Sequence, residues 1–97
     1  MLEYAAIVDE LEGCVMARKS GTFFVSTSDQ HSIRIALRDG EVVSLAYRST
    51  RGAAAIPLIS AIRSGSVRFD ATSIFPASKN EDVPSAITLI ARLRARS

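Results

Sequence analysis

Asp39-Gly40 stands between two stretches, Ser32–Arg38 and Glu41–Tyr47, in which apolar and polar residues alternate. Aspartate followed by glycine between alternating runs is the strongest short-range signal for a β-hairpin. No other feature of this chain restricts its fold as tightly. Ile33, Ile35 and Leu37 share one side of the first run, and Val43, Leu45 and Tyr47 share one side of the second. A two-residue loop would set Leu37 opposite Val42 and Ile35 opposite Ser44, which mixes a polar residue into the apolar side. A three-residue loop, Arg38 to Gly40 with Gly40 left-handed, sets Ile35 opposite Val43 and Ile33 opposite Leu45. All six large apolar residues then face one way. Register follows the face that must be buried, so the pattern predicts the three-residue loop with a glycine bulge.

Elements on either side fit a mixed fold. Tyr4, Ile7, Val8, Leu11 and Val15 form one helical stripe, predicting a helix from about Glu3 to about Ala17, through Gly13, with Arg18 and Lys19 in its last turn and Gly21 as its terminator. Thr22–Thr27 is rich in aromatic and β-branched residues and reads as a strand. After Arg51-Gly52, the residues Ala54, Ala55, Leu58, Ile59 and Ile62 have helical spacing; Pro57 either kinks that helix or sits in the first turn of a regular part that begins around Ile56. Ser64-Gly65-Ser66 closes that helix, and Val67–Asp70 is a fourth strand. Ala71 to Asp82 reads as a loop, and Pro84 leads a final helix whose face carries Ile87, Ile90, Ala91 and Arg94. The expectation is an α+β fold: a small antiparallel sheet of about four strands, in the order α-β-β-β-α-β-α, as a single domain over residues 1–97.

The chain's 97 residues are 47% hydrophobic and 23% charged, the usage of an ordinary globular domain. Its longest apolar run, Ala53 to Ile59, falls well short of the roughly 20 residues a membrane span needs. No leader-like segment opens the chain, so the reading is a cytoplasmic protein without a membrane partner. A formal charge of +2 is a weak field for a nucleic-acid binder, which neutralises several phosphates at once. The one cysteine, Cys14, reads as a small buried apolar residue.

Catalytic and cofactor chemistry finds little footing. His31 is the single imidazole, with Asp29, Ser28 and Ser32 beside it, but neighbours in a short polar turn lack the rigid scaffold a triad needs. It reads as an exposed turn residue. The five glycines, at 13, 21, 40, 52 and 65, are scattered rather than gathered into a phosphate loop. No catalytic, metal or cofactor residue is therefore assigned. Arg34 and Arg38 fall on the polar side of their strand, and most of the six aromatics fall at apolar-face positions.

The succession Ser20-Gly21-Thr22-Phe23, Ile35 to Gly40 (I-A-L-R-D-G), Glu41-Val42-Val43-Ser44-Leu45, Arg51-Gly52-Ala53-Ala54 and Gly65-Ser66-Val67-Arg68-Phe69 resembles the PATAN-like domain of bacterial signalling proteins. The resemblance covers nearly the whole chain, and its markers, Gly21, Asp39, Gly40, Gly52 and Gly65, are turn and fold positions. Leu45 stands where that family has a small residue, Pro57 interrupts the helix after Gly52, and Val67 replaces an aromatic. The resemblance implies a non-enzymatic interaction module of two-component or type IV pilus and motility signalling, with a receiver-domain protein as partner. A second expectation is a homodimer, because the terminal helices are rich in apolar residues; their opposite charges fit pairing with a second copy or within one chain. The interaction surface is assigned to Tyr4, Leu11, Arg34, Arg38, Leu89 and Leu93. The alternative is a small nucleic-acid-binding protein that uses an arginine-bearing sheet face and the Arg92–Arg96 tail.

Overall fold

The computed structural model describes residues 1–72 and 83–95. The predicted mixed class is found: the described residues form three α-helices and a six-stranded antiparallel sheet. The elements are β1 (Leu2–Glu3), α1 (Tyr4–Met16), β2 (Gly21–Thr27), β3 (Ser32–Arg38), β4 (Glu41–Tyr47) and β5 (Thr50–Arg51). They continue with a 3₁₀ turn (Gly52–Ala55), α2 (Ile56–Ile59), β6 (Ser64–Asp70) and α3 (Ala86–Arg94). Strand order across the sheet is β1-β6-β2-β3-β4-β5. The sheet thus exceeds the expected four strands by two edge pieces of two residues each, Leu2–Glu3 and Thr50–Arg51. Such pieces are too short to carry a readable alternation. Ser64–Ser66, expected to end the helix, instead belongs to β6, where Gly65 pairs with both Thr27 and Leu2. A Cβ on Gly65 would lie 2.6 Å from the Ser26 carbonyl oxygen, so glycine is what lets three strands meet there.

Buried residues of α1, α2 and α3 enter one core on one side of the sheet, against Phe23, Val25, Ile33, Ile35, Leu37 and Leu45. Helix α1 runs through Gly13 as expected and buries Tyr4, Ile7, Val8, Leu11 and Cys14, with Val15 only partly buried. Its end differs from the expectation. Arg18, not Gly21, takes the left-handed conformation (φ 54°). The Lys19 N–H donates to the Cys14 carbonyl and the Arg18 N–H to the Val15 carbonyl. That pair of bonds is a Schellman closure. Pro57 sits in the first turn of α2, where its missing N–H is harmless. Helix α3 starts at Ser85, whose side chain accepts from the Thr88 N–H. It buries Ala86, Leu89, Ile90 and Leu93, leaving Ile87 80% exposed, so the expected face is rotated.

The β3–β4 hairpin corrects the predicted loop. Asp39 (φ 52°) and Gly40 (φ 81°) are both left-handed, and Arg38 pairs with Glu41 and Leu37 with Val42. The loop therefore has two residues, the geometry that matches strand twist. The register then shifts between Ala36 and Leu37, so that Ala36 faces Ser44, Ile35 faces Leu45 and Ile33 faces Tyr47. Val43 is the extra, bulged residue. The bulge does the work expected of a longer loop: it returns Leu45 and Tyr47 to the core side. Leu45, fully buried opposite Ile35, fills space where a small residue would leave a void.

The tip of the hairpin docks on the end of α1. Gly40 N–H donates to the Lys19 carbonyl at 3.1 Å, and Asp39 N–H donates to Ser20 Oγ at 2.9 Å. A Cβ on Gly40 would lie 2.6 Å from the Val15 carbonyl oxygen. Gly40→Ala therefore meets both a left-handed penalty of about 1–2 kcal/mol and a backbone clash. We expect the variant to lose at least about 2 kcal/mol by urea denaturation. An unchanged midpoint would show that the tip does not bear on the helix.

Candidate functional site

With the helices gathered on one side, the opposite side of the sheet carries the distinctive surface chemistry. Pairing builds it in cross-strand rows. One row runs Arg68, Phe24, Arg34, Ala46, Arg51 across β6, β2, β3, β4 and β5. The row beside it runs Ser66, Ser26, Ser32. On the far side lies a row of Asp70, Thr22, Ala36 and Ser44, in which Thr22 and Ala36 are buried. Phe24 departs from the expectation that aromatics point to the core, since it shares this polar side. The Arg68 guanidinium lies over its ring, 4.8 Å from the centroid, within the range of a cation–π contact. Phe24, Ser26, Ser32, Ser66 and Arg68 line a shallow depression there, and all but the half-buried Phe24 are exposed.

The residues assigned from sequence to an interaction surface divide in two. Arg34 and Arg38 are on this face as expected, with Arg38 exposed and paired across the hairpin with Glu41. Tyr4, Leu11, Leu89 and Leu93 are corrected: all four lie in the core, at most 8% exposed. Tyr4 O–H donates to the Leu93 carbonyl at 2.7 Å, which ties α1 to α3. The apolar surplus that the sequence offers for pairing is thus spent largely inside the chain. Charge follows the same path. Arg94 Nη2 reaches Asp9 Oδ1 at 2.8 Å and Glu12 Oε1 at 3.1 Å, so the acidic first helix meets the basic last helix of its own chain. Arg96 of the proposed basic tail lies outside the described residues, as does most of the predicted loop, from residue 73 to 82. The fold markers Gly21 and Gly52 begin β2 and the 3₁₀ turn, both with positive φ.

His31 also departs from the expected exposed bystander. Its Nδ1 and the Tyr47 hydroxyl share a hydrogen bond of 2.6 Å, and the rings meet edge to face. Its N–H donates to Thr27 Oγ1, and its carbonyl accepts from the Thr27 N–H. The imidazole therefore fastens the β2–β3 turn to the end of β4. Cys14 is buried as expected. Burial pushes its thiol up from the ordinary value, against a smaller opposing pull from Lys19, which makes it a poor nucleophile. Among the described residues no three His, Cys, Asp or Glu side chains gather as metal ligands, and no helix is long and apolar enough to cross a membrane.

Comparison with known proteins gives no match to a family model, a curated protein or a solved structure.

The His31–Tyr47 bond yields a direct test. His31→Ala and Tyr47→Phe should each cost about 1 kcal/mol of stability. Combined, they should cost clearly less than the two effects added, because one bond cannot be lost twice. Strict additivity in a double-mutant cycle by thermal or urea denaturation would show that the pair is not coupled.

Proposed function

We propose that this chain is a non-enzymatic protein-interaction module of bacterial signalling, of the two-component or type IV pilus and motility kind. The observation that supports this reading best is the two-layer build. Among the described residues the three helices serve one side of the sheet, while the other presents ordered rows of arginine and serine with one aromatic. A face with that much patterned, outward chemistry suits recognition of another molecule. The family resemblance points the same way, since its marker residues Gly21, Asp39-Gly40, Gly52 and Gly65 all fall at strand or turn positions of the fold. A receiver-domain protein is the partner that resemblance implies.

The second reading, a nucleic-acid binder, draws on the same arginines and on the outward Phe24. One titration separates the two. The ¹⁵N-labelled chain is mixed with receiver domains from its own genome, with and without beryllofluoride activation, and in parallel with oligothymidylate. Saturable binding to a receiver domain, with little response to oligothymidylate, is the expected result. Binding to oligothymidylate that falls steeply between low and physiological salt, with no receiver domain bound, would overturn the proposal. Sedimentation at micromolar concentration reports whether a second copy of the chain competes for the same role.

A further inference from the structure

We infer that the Arg68–Phe24–Arg34–Arg51 row and its flanking serines form a docking surface for an acidic segment of a partner protein. The inference rests on the interaction-module reading and adds to it which face docks and what chemistry the partner brings.

Charge is the first argument. Arg34, Arg38, Arg51 and Arg68 share the outward side with Glu41 and Asp70, by strand pairing. Among the described residues outside this face acidic and basic residues are equal in number, so the charge excess of the described residues belongs to this face. Its cations are all arginine. Arginine presents a planar fork that matches a carboxylate through two parallel hydrogen bonds, and arginine and aromatics are enriched at protein interfaces whereas lysine is depleted.

Preorganisation is the second. The Phe24 ring seats the Arg68 guanidinium at 4.8 Å, so less side-chain freedom is lost when a carboxylate arrives. Ser26, Ser32 and Ser66 form the adjacent row and offer hydroxyls to a backbone or carboxylate lying beside the arginines.

The same geometry disfavours a nucleic acid. Base stacking uses bare aromatic rings, usually several. Among the described residues of this face there is one ring, Phe24, and a guanidinium already covers it. Asp70 and Glu41 lie on the same flank of the arginine row, opposite the serines, where a phosphate backbone laid along the strands would meet repulsion. Separate carboxylates on a folded partner can avoid both.

Fluorescence anisotropy with a labelled peptide of alternating Glu and Ser provides the test, against an alternating Gln and Ser peptide and oligothymidylate. At low salt the 97-residue chain should bind the acidic peptide, and its amide signals at Phe24, Arg34 and Arg68 should move on titration. Arg68→Gln and Phe24→Leu should each weaken that binding by about fivefold or more, the size of a single interface contact. Arg51→Gln, at an exposed edge position, serves as a further variant if Phe24→Leu unfolds. Signal changes confined to other surfaces, an affinity unchanged in Arg68→Gln, or tighter binding of oligothymidylate than of the acidic peptide would each overturn the inference. A receiver domain that binds the wild-type chain and Arg68→Gln equally well would remove this face while leaving the module reading intact. Arg68-dependent peptide binding without any receiver partner would do the reverse.

Discussion

The contact between the β3–β4 turn and the end of α1 is the constraint on which the other arrangements depend. Gly40 sits with its Cα toward the Val15 carbonyl and its N–H on the Lys19 carbonyl, a separation no side chain tolerates. Three choices follow from that one approach. The turn must be tight, which forces two left-handed residues at Asp39 and Gly40. The helix must close before Lys19, which Arg18 achieves by going left-handed itself. Strand β4 must then absorb one extra residue, Val43, if Leu45 and Tyr47 are to reach the core. Local strain at Asp39 and Arg18 is held in place because the surrounding bonds leave no alternative.

Closure of the helical layer has a consequence for function. Tyr4 O–H reaches the Leu93 carbonyl and Arg94 reaches Asp9 and Glu12, so the first and last helices satisfy each other. The buried hydrogen bond is the stronger contributor, since exposed ion pairs are screened and contribute little. What this leaves to the surroundings is mainly the far side of the sheet. An antiparallel sheet commonly turns one face to water, but such a face is usually a mixture of unrelated polar residues. The alignment of Arg68, Phe24, Arg34 and Arg51 across four of its strand boundaries is a more specific pattern.

Much of the secondary structure was legible because it is written in short-range periodicity. The helical stripe from Tyr4 to Leu11, the alternation of Ser32–Arg38 and the Asp39-Gly40 turn each need only a few neighbouring residues to be read. Pro57 was legible only as a kink or a start, and the structure places it at the start of α2. Misreadings have equally local causes. Ser64-Gly65-Ser66 looks like a helix stop because its role, meeting β1 and β2 at once, is invisible in the segment itself. His31 looks like a turn residue because Tyr47, its partner, lies sixteen positions away.

The sequence by itself determined the class of fold, the identity of most elements, the buried side of β3 and the absence of a long apolar span. Each of these is fixed by spacing along the chain, through the 3.6-residue and two-residue periods and through the fixed preferences of glycine and proline. Only the tertiary structure decided the hairpin register, the rotation of α3, the burial of Tyr4, Leu11, Leu89 and Leu93, and the candidate site. Phe24 and Arg68 carry no mark of each other in the sequence. They become neighbours because β6 returns across the whole fold to pair with β2, and a contact made by strand pairing is set by register, which the entire buried face selects at once.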